Sequence, residues 1–212
     1  MNMMAKIASG AGLSGIVAAV VLSVGISNPV PAHAADCTTE LKRDEVTPAQ
    51  AQELYDCIQA SLLAGYSKAT DVPGVPDYKN WKLITTAPLV SATHGGMFVN
   101  HYVNDLGADL YTKWEDMNGE KFAVGTIFAK ESFRISKKDG KVKRGPLFLM
   151  EKVAASEAPD GWIYTRLFPN GKYQRTNGNK SEKMVFCHEC HAATLEDQDA
   201  AFFPPEEYRV SN

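Results

Sequence analysis

The chain has 212 residues, of which 44% are hydrophobic and 22% are charged, and its formal net charge at pH 7 is −3. This length and composition suit one domain with a substantial core. The sequence contains no long run of lysine and arginine, so its charge argues against a nucleic-acid partner.

The first 34 residues have the organisation of a signal peptide. Lys6 precedes an apolar stretch from about Ala11 to Ile26, and small residues occupy much of the segment Ala32–Ala34. The alternative is a retained membrane anchor, but the stretch includes glycine and serine and falls short of the ~20 strongly apolar residues that a span needs. We therefore predict cleavage near Ala35 and export of the mature protein to the periplasm.

The first predicted element is a helix from about Pro48 to Leu63. The segment Thr47–Gln50 is a capping-box pattern with proline at the first helical position, and leucine and isoleucine recur behind it at helical spacing. Cys57 lies in this helix, and Cys37 lies in the irregular stretch before it. Because unused thiols tend to pair in an oxidising compartment, we expect a disulfide between them, worth about 3 kcal/mol.

A connector rich in proline and glycine follows this helix. We expect residues 35–94, which contain the helix, the disulfide and the connector, to pack on a main domain that comprises residues 95–212. The main domain begins with a change in sequence character, because runs dense in β-branched and aromatic residues start there. Four of these runs are predicted strands, at Met97–Val103, Val124–Ile135, Leu147–Ala154 and Trp162–Phe168.

Between the first two strands, Leu106, Leu110 and Trp114 recur every four residues, which predicts a helix over Asp105–Trp114 with one apolar stripe. Asp-Gly and Asn-Gly turns at positions 138–141 and 169–172 predict antiparallel connections between strands. The fold class is therefore α+β, with a mostly antiparallel sheet, flanking helices and a C-terminal segment that carries the most specific motif of the chain.

That motif is Cys187-His188-Glu189-Cys190-His191. Cys187 and Cys190 supply two thiols that can add to the vinyl groups of a haem, and His191 supplies an imidazole that can ligate its iron. A chance occurrence in a chain with four cysteines and five histidines is on the order of one in five hundred. A zinc site would need further cysteine or histidine ligands at suitable spacing. The motif therefore predicts one covalently bound haem c.

The second axial position of the iron decides whether such a haem carries electrons or binds a small molecule. The sequence does not single out a ligand for it, and His188, inside the attachment loop, is badly placed. The remaining candidates are Met97, Met117, Met150, Met184, His94 and His101.

Lys130 lies in the predicted strand that begins at Val124. Alternation along a strand places Phe128, Lys130 and Ser132 on one face and Ala129 and Glu131 on the other. Taken alone, this pattern suits a solvated lysine that pairs with a neighbouring acid.

Five ordered segments of the sequence are typical of one family. They are Tyr102–Asn104 ahead of the predicted helix, Gly125–Glu131, Leu147–Met150, Trp162–Tyr164, and the cysteine-histidine motif with Ala192-Ala193 behind it. Over about Gly95 to Phe203, their order and spacing resemble the cytochrome P-460 and cytochrome c-prime-beta family. The resemblance implies an antiparallel sheet with flanking helices, a single C-terminal c-type haem and a homodimer.

The resemblance also implies roles for two residues. Lys130 occupies the position of a lysine that in P-460 members is covalently linked to the haem, which favours a crosslink over a solvated side chain. Glu157 stands at the spacing, beyond Met150, of a carboxylate that these enzymes use above the iron. The alternative for Glu157 is an exposed loop acid, because the residues around it are strong turn formers.

Three functions follow from these expectations. In the first, the iron position opposite His191 is open, hydroxylamine or a related nitrogen species is oxidised there, and electrons pass to a periplasmic acceptor. Lys130 would then tune the haem, and Glu157 would accept protons.

In the second, the haem binds nitric oxide without turnover, in an apolar pocket whose walls include Phe98, Phe128 and Phe133, unless these rings are simply core. The third and weaker hypothesis is a plain electron carrier with Met150 or Met184 on the iron.

Overall fold

The computed structural model describes residues 37–178 and 181–211, so the predicted signal peptide, residues 1–34, lies outside the described residues. The helices are α1 (Pro48–Tyr66), α2 (Asp105–Tyr111), α3 (Val185–His191) and α4 (Leu195–Gln198). The strands are β1 (Lys82–Leu83), β2 (Leu89–Ser91), β3 (Met97–Val103), β4 (Ile127–Ile135), β5 (Val142–Lys152), β6 (Trp162–Leu167) and β7 (Tyr173–Arg175). Within these ranges, no helix is long and apolar enough to cross a membrane.

The strands form one antiparallel sheet in the order β1-β3-β4-β5-β6-β7, with β2 also paired to β3. The predicted α+β class with a mostly antiparallel sheet is therefore confirmed. Both predicted turns connect neighbouring strands, β4 to β5 and β6 to β7. Strand β4 begins at Ile127 rather than at the predicted Val124, because Gly125 has a φ of 95° and Thr126 donates a turn hydrogen bond to the carbonyl of Ala123.

The helix α1 confirms its prediction and runs one turn further, to Tyr66. The side-chain oxygen of Thr47 accepts a hydrogen bond from the backbone N–H of Gln50, and the Gln50 side chain accepts one from the N–H of Thr47. This reciprocal capping satisfies two N–H groups at the start of the helix. The predicted disulfide between Cys37 and Cys57 is present, with 6.0 Å between the Cα atoms, and it ties the start of the described chain to α1.

The apolar stripe predicted for α2 is only partly correct. Leu110 and Trp114 are partly buried and pack against a hydrophobic core, although the helix ends at Tyr111, before Trp114. Leu106 is 56% exposed, and the buried face of the helix consists of Gly107, Ala108 and Tyr111. A Cβ on Gly107 would lie 2.3 Å from the Cγ2 atom of Thr126, so the helix approaches the chain at this point too closely for a large side chain. Close approach selects small residues for the inner face, which a search for large apolar residues does not detect.

The sheet buries both of its faces. Helix α1 packs on one face, in a core that includes Tyr55, Leu62 and Phe133. The other face carries a second core, in which Phe128 and Trp162 pack with residues from the C-terminal segment. Neighbouring residues of β4 point to opposite cores, as strand alternation predicts.

The core under α1 contains one buried carboxylate. The side chain of Glu131 is fully buried and accepts hydrogen bonds from the hydroxyl groups of Tyr55 and Tyr78, the latter at 2.8 Å, and from the ammonium group of Lys79 at 3.2 Å. Burial and the Glu131 charge raise the pKa of Tyr78 above its ordinary value, so its hydroxyl stays a donor. These hydrogen bonds compensate for the loss of hydration of the Glu131 carboxylate, which would otherwise destabilise the folded protein.

Gly65, near the end of α1, faces the β6–β7 turn. A Cβ at this position would lie 2.6 Å from the backbone oxygen of Pro169. We expect Gly65→Ala to lower the free energy of unfolding by about 1–3 kcal/mol, because the overpacking outweighs the ~1 kcal/mol that alanine gains in a helix. Urea-induced unfolding measures the change.

The exposed neighbour Ala64 provides the control. Ala64→Gly loses only the helical propensity, about 1 kcal/mol, and meets no steric barrier. A Gly65→Ala protein as stable as the wild type would show that α1 and the turn can separate without cost.

Candidate functional site

A cavity of about 560 Å³ lies between the sheet face opposite α1 and the C-terminal segment of the chain. Its volume is typical of sites that enclose a small molecule or a cofactor. Apolar side chains form most of its wall, among them Leu89, Phe128, Phe148, Phe168 and Phe203.

The residues of the cysteine-histidine motif reach this cavity from α3. Cys187, Cys190 and His191 all line it, and both cysteines are free thiols. Burial raises the pKa of the Cys187 thiol to about 11, so the thiol stays protonated in the absence of a reaction partner. One turn of helix therefore presents two thiols and one imidazole to the same apolar space.

The orientation of His191 is set by a hydrogen bond on the far side of its ring. The Nδ1 atom lies 2.7 Å from the carbonyl oxygen of Ala200. A carbonyl oxygen can only accept, so Nδ1 carries the proton, and the lone pair of Nε2 is free. Burial and the nearby charge of Lys130 lower the pKa of His191 to about 4, which keeps the imidazole in the neutral form that a metal needs.

An ion pair holds the turn that supplies this carbonyl. Asp199, which precedes Ala200, accepts hydrogen bonds from the ammonium group of Lys152 at 2.8 Å and from the backbone N–H of Phe122 at 2.9 Å. Both partners of the ion pair are nearly inaccessible to solvent. The backbone of Asp199 has a φ of 48° and that of Ala200 a φ of 66°, so side-chain contacts maintain an uncommon conformation. The ion pair therefore fixes the position of the Ala200 carbonyl, and the hydrogen bond that this carbonyl accepts orients the ring of His191.

Lys130 lies on the opposite wall, in the middle of β4. In the sheet it stands between His101 of β3 and Phe148 of β5, and Phe148 in turn stands beside Arg166 of β6. Directly opposed residues share a face, so these four side chains form a row across the cavity wall. Burial lowers the pKa of Lys130 to about 8. Across the described part of the chain, no acid pairs with Lys130, so its surroundings differ from those of a solvated lysine.

Two histidines line the same cavity. His101 is fully buried, and its Nδ1 atom has no hydrogen-bond partner among the described residues. The Nδ1 atom of His94 lies 2.8 Å from the hydroxyl oxygen of Ser91, and the His94 ring packs on Phe148. Burial and the charge of Lys130 lower the pKa of both histidines well below the ordinary value, so both imidazoles are neutral.

The structure shortens the set of candidates for the second axial ligand. Met97, Met150, Met184, His94 and His101 line the cavity. Met117 does not line it and packs with no exposure in the core. The ring of His188 points elsewhere, with Nε2 2.8 Å from a carboxylate oxygen of Asp160.

Glu157 lies outside the cavity wall, on an exposed turn between β5 and β6. Its carboxylate accepts a hydrogen bond from the backbone N–H of Ala154 at 3.4 Å. Its role in proton transfer stays a prediction that this position does not support. Of the three predicted wall phenylalanines, Phe128 lines the cavity, whereas Phe98 and Phe133 stack on each other in the core under α1.

The residues of the cavity fit a haem. Within residues 37–178 and 181–211, the wall contains no aspartate or glutamate, and it presents two free thiols and the imidazole of His191, whose Nδ1 is hydrogen-bonded on the far side. Two thiols and a fixed imidazole on one turn, facing apolar walls, are the groups that a covalently attached haem requires.

Several residues of the site were not predicted from the sequence. Strand alternation applied to β5 and β6 could have assigned Phe148 and Arg166 to the same face as Lys130. The rings of Tyr164 and Phe202, each with a centroid 5.1 Å from that of His191, could not have been found this way. They approach His191 only because the sheet and the C-terminal segment fold together.

The fold and this site define a haem-binding cytochrome. Residues 75–203 match the family described as Cytochrome P460, and the chain belongs to this family. No curated protein matches the chain. The matched part includes the cavity-lining residues from Leu89 to Phe203, whereas α1 and the disulfide precede it and the lining residues Pro204 and Pro205 follow it.

Proposed function

We propose that this protein is an exported monohaem c-type cytochrome that oxidises hydroxylamine or a related small nitrogen species and passes the electrons to a redox acceptor. Thioether bonds from Cys187 and Cys190 would hold the haem, and His191 would be its axial ligand. The haem would supply a redox-active iron with an open position for the substrate. Membership of the cytochrome P460 family supports this class of function.

The proposal depends mainly on one observation, which is that the motif residues and Lys130 line the same cavity from opposite sides. The motif residues come from the C-terminal wall, and Lys130 comes from the sheet wall with its pKa lowered to about 8. A lysine with this pKa is partly neutral near pH 7 to 8, and the neutral amine is the form that can bond to carbon. The position of Lys130 therefore supports a covalent link in which a bond from its Nζ atom would replace a C–H bond of the macrocycle. An external oxidant such as hydrogen peroxide would take up the two electrons that this replacement releases.

The remaining residues of the wall hold and shield the reacting molecule. Phe128 and Phe148 exclude water from the sheet side of the cavity, which strengthens electrostatic interactions inside it. His101 lines the same wall as a neutral imidazole, because burial and the charge of Lys130 lower its pKa. The Ala200 carbonyl keeps the proton of His191 on Nδ1 throughout.

A second candidate function is the binding of nitric oxide without turnover. One observation favours it: in the part of the chain that the structure describes, the cavity wall carries no carboxylate, and Glu157 is exposed. Oxidation of hydroxylamine releases protons and benefits from a base within hydrogen-bond reach of the substrate. A wall without such a base suits a site that binds a neutral diatomic molecule.

The purified holoprotein distinguishes these functions. A high-spin ferrous spectrum, together with hydroxylamine-dependent reduction of an artificial acceptor, is the expected result. A high-spin spectrum that responds to nitric oxide, without any turnover of hydroxylamine, would favour the binding function. A low-spin spectrum that is insensitive to nitric oxide would contradict both and indicate an electron carrier.

The crosslink has its own test in Lys130→Ala and Lys130→Arg. Proteolysis of the wild-type holoprotein should release a haem peptide that contains both the α3 segment and the β4 segment, as read by mass spectrometry. In both variants the haem peptide should contain α3 alone, and the ferrous absorption spectrum should shift, because the macrocycle loses one substituent. Haem content should stay near the wild-type level, since Cys187 and Cys190 are unchanged.

Lys143→Ala serves as the control, because this β5 lysine lies outside the cavity wall. Identical spectra for wild type and Lys130→Ala, with no β4 peptide on the wild-type haem, would rule out the crosslink and leave Lys130 as a half-buried amine.

A further inference from the structure

A second and larger depression adjoins the haem cavity. It measures about 1390 Å³, and its wall comes from residues 39–44, the turn at Gly95-Gly96, the β4–β5 hairpin and Pro169. We call it the basic basin, because seven lysines and arginines line it against three acids. The chain as a whole has a net charge of −3, so this positive charge is a local concentration.

Only part of this charge is neutralised within the basin. Arg43 pairs with Asp44 at 2.8 Å, and Lys143 lies 3.8 Å from the carboxylate of Asp139. Lys42 pairs with Glu45 at 3.7 Å.

Four basic side chains of the basin form no ion pair with any described residue. These are Arg134, Lys137, Lys138 and Arg144, all of them exposed. Arg144 donates a hydrogen bond to the backbone oxygen of Ser61 at 3.3 Å, which holds its guanidinium group in place. Several unpaired charges of one sign around a concave surface attract oppositely charged partners and accelerate their association.

The basic basin is continuous with the haem cavity. Gly95 and Arg134 line both spaces, and Arg134 follows Lys130 by four residues on β4. A partner in the basin would therefore lie next to the haem cavity. The volume of the basin exceeds the roughly 300–1,000 Å³ of ordinary small-molecule sites, which favours a macromolecular surface over a small anion.

We propose that the basic basin is the docking surface for the electron acceptor, and that the acceptor is a redox protein with an acidic face. The proposal rests on the electron-transfer step of the proposed function, but not on the identity of the substrate. Charge complementarity of this kind acts mainly on the association rate, so its signature is a rate that falls as salt is added.

The test follows the oxidation of dithionite-reduced holoprotein by two small oxidants in a stopped-flow instrument. Hexacyanoferrate(III) carries negative charge, and hexaamminecobalt(III) carries positive charge. We expect the rate with hexacyanoferrate(III) to decrease steeply with ionic strength, and the double variant Lys137→Gln/Lys138→Gln to lower it by about threefold or more at low salt. The rate with the cationic oxidant should stay equal or rise.

The double variant Lys82→Gln/Lys121→Gln is the matched control. It also removes two positive charges, but at positions outside the basin. If both double variants slow hexacyanoferrate(III) equally, the effect comes from net charge, and the proposal is wrong. Poly-L-glutamate distinguishes a protein face from a small anion. Poly-L-glutamate should slow the oxidation of the wild-type holoprotein by hexacyanoferrate(III). It should not slow the same reaction of the Lys137→Gln/Lys138→Gln variant.

A different result would overturn the docking of a protein. In that case, poly-L-glutamate does not slow the reaction of the wild type, although the substitutions at Lys137 and Lys138 still slow the reaction with hexacyanoferrate(III). The basin would then bind only small anions. The reductant in these measurements is dithionite, so a failure to oxidise hydroxylamine leaves the result intact. Failure of the docking proposal and failure of the proposed function are therefore separate outcomes.

Discussion

Replacement of both Cys187 and Cys190 by serine should abolish the attachment of haem through thioether bonds. The two thiols are the groups of the cavity wall that can add to the haem vinyl groups, and a serine hydroxyl does not form the thioether bond. In a Lys130→Ala background, which lacks the proposed crosslink, acidified acetone should then remove the haem, whereas the wild-type haem should stay with the polypeptide. The haem content of the precipitated protein, read as the pyridine complex, measures the effect.

A crosslink to Lys130 could retain haem in the double variant, so the experiment also needs the pair of serine substitutions in a Lys130→Ala background. Glu189→Gln is the matched control, since this exposed residue lies between the two cysteines and changes only in charge. Full haem retention by the Cys187→Ser/Cys190→Ser/Lys130→Ala protein would contradict the assignment of all three residues.

Asp199→Asn should cost about 3–5 kcal/mol of folding stability, because it leaves the buried ammonium group of Lys152 without its charge partner. Asparagine tolerates the left-handed backbone of this position, so the substitution removes the charge without adding strain. In the holoprotein the same change should loosen the turn that presents the Ala200 carbonyl to His191. The midpoint potential should shift in consequence, because hydrogen bonding at Nδ1 tunes the basicity of the ligand.

Chemical denaturation and redox titration of the same preparation measure the two effects. Asp197→Asn is the control, two residues earlier on the exposed side of α4, where a surface substitution should change stability by no more than about 0.5 kcal/mol. Equal unfolding midpoints for the two variants would show that the Lys152–Asp199 pair does not hold this turn.

Local patterns predicted the elements of this protein well where a short segment carries the whole signal. The capping box and apolar spacing of α1, the β-branched runs of β3 and β6 and the two glycine-containing turns each depend on neighbouring residues alone. Prediction failed in part at α2, where Leu106 is exposed and Gly107 faces inward. The close contact with Thr126 decides that orientation, and this contact joins residues far apart in the chain.

Local patterns also predicted some residues of the site and failed to predict the surroundings of others. Cys187, Cys190 and His191 could be predicted as candidates for haem attachment because that chemistry requires these residue types at this spacing, and the structure places all three on the cavity wall. Sequence patterns placed Lys130 on the same face as Phe128, but they did not indicate that it is half-buried in the cavity wall, without an acid partner among the described residues. That property depends on the register that brings His101 and Phe148 to its two sides.

The sequence by itself therefore determined the helix and strand periods, the disulfide pair and the spacing of the cysteine-histidine motif, because these depend on local spacing and composition. Only the tertiary structure decided which groups face the cavity and which do not. Glu157 stays on an exposed turn, while the Ala200 carbonyl reaches the His191 ring from a turn held by Asp199 and Lys152. Two features bring the cavity groups together, namely the register of the strands and the packing of the C-terminal segment on the sheet. Contacts between residues far apart in the chain determine both features, and no local sequence pattern does.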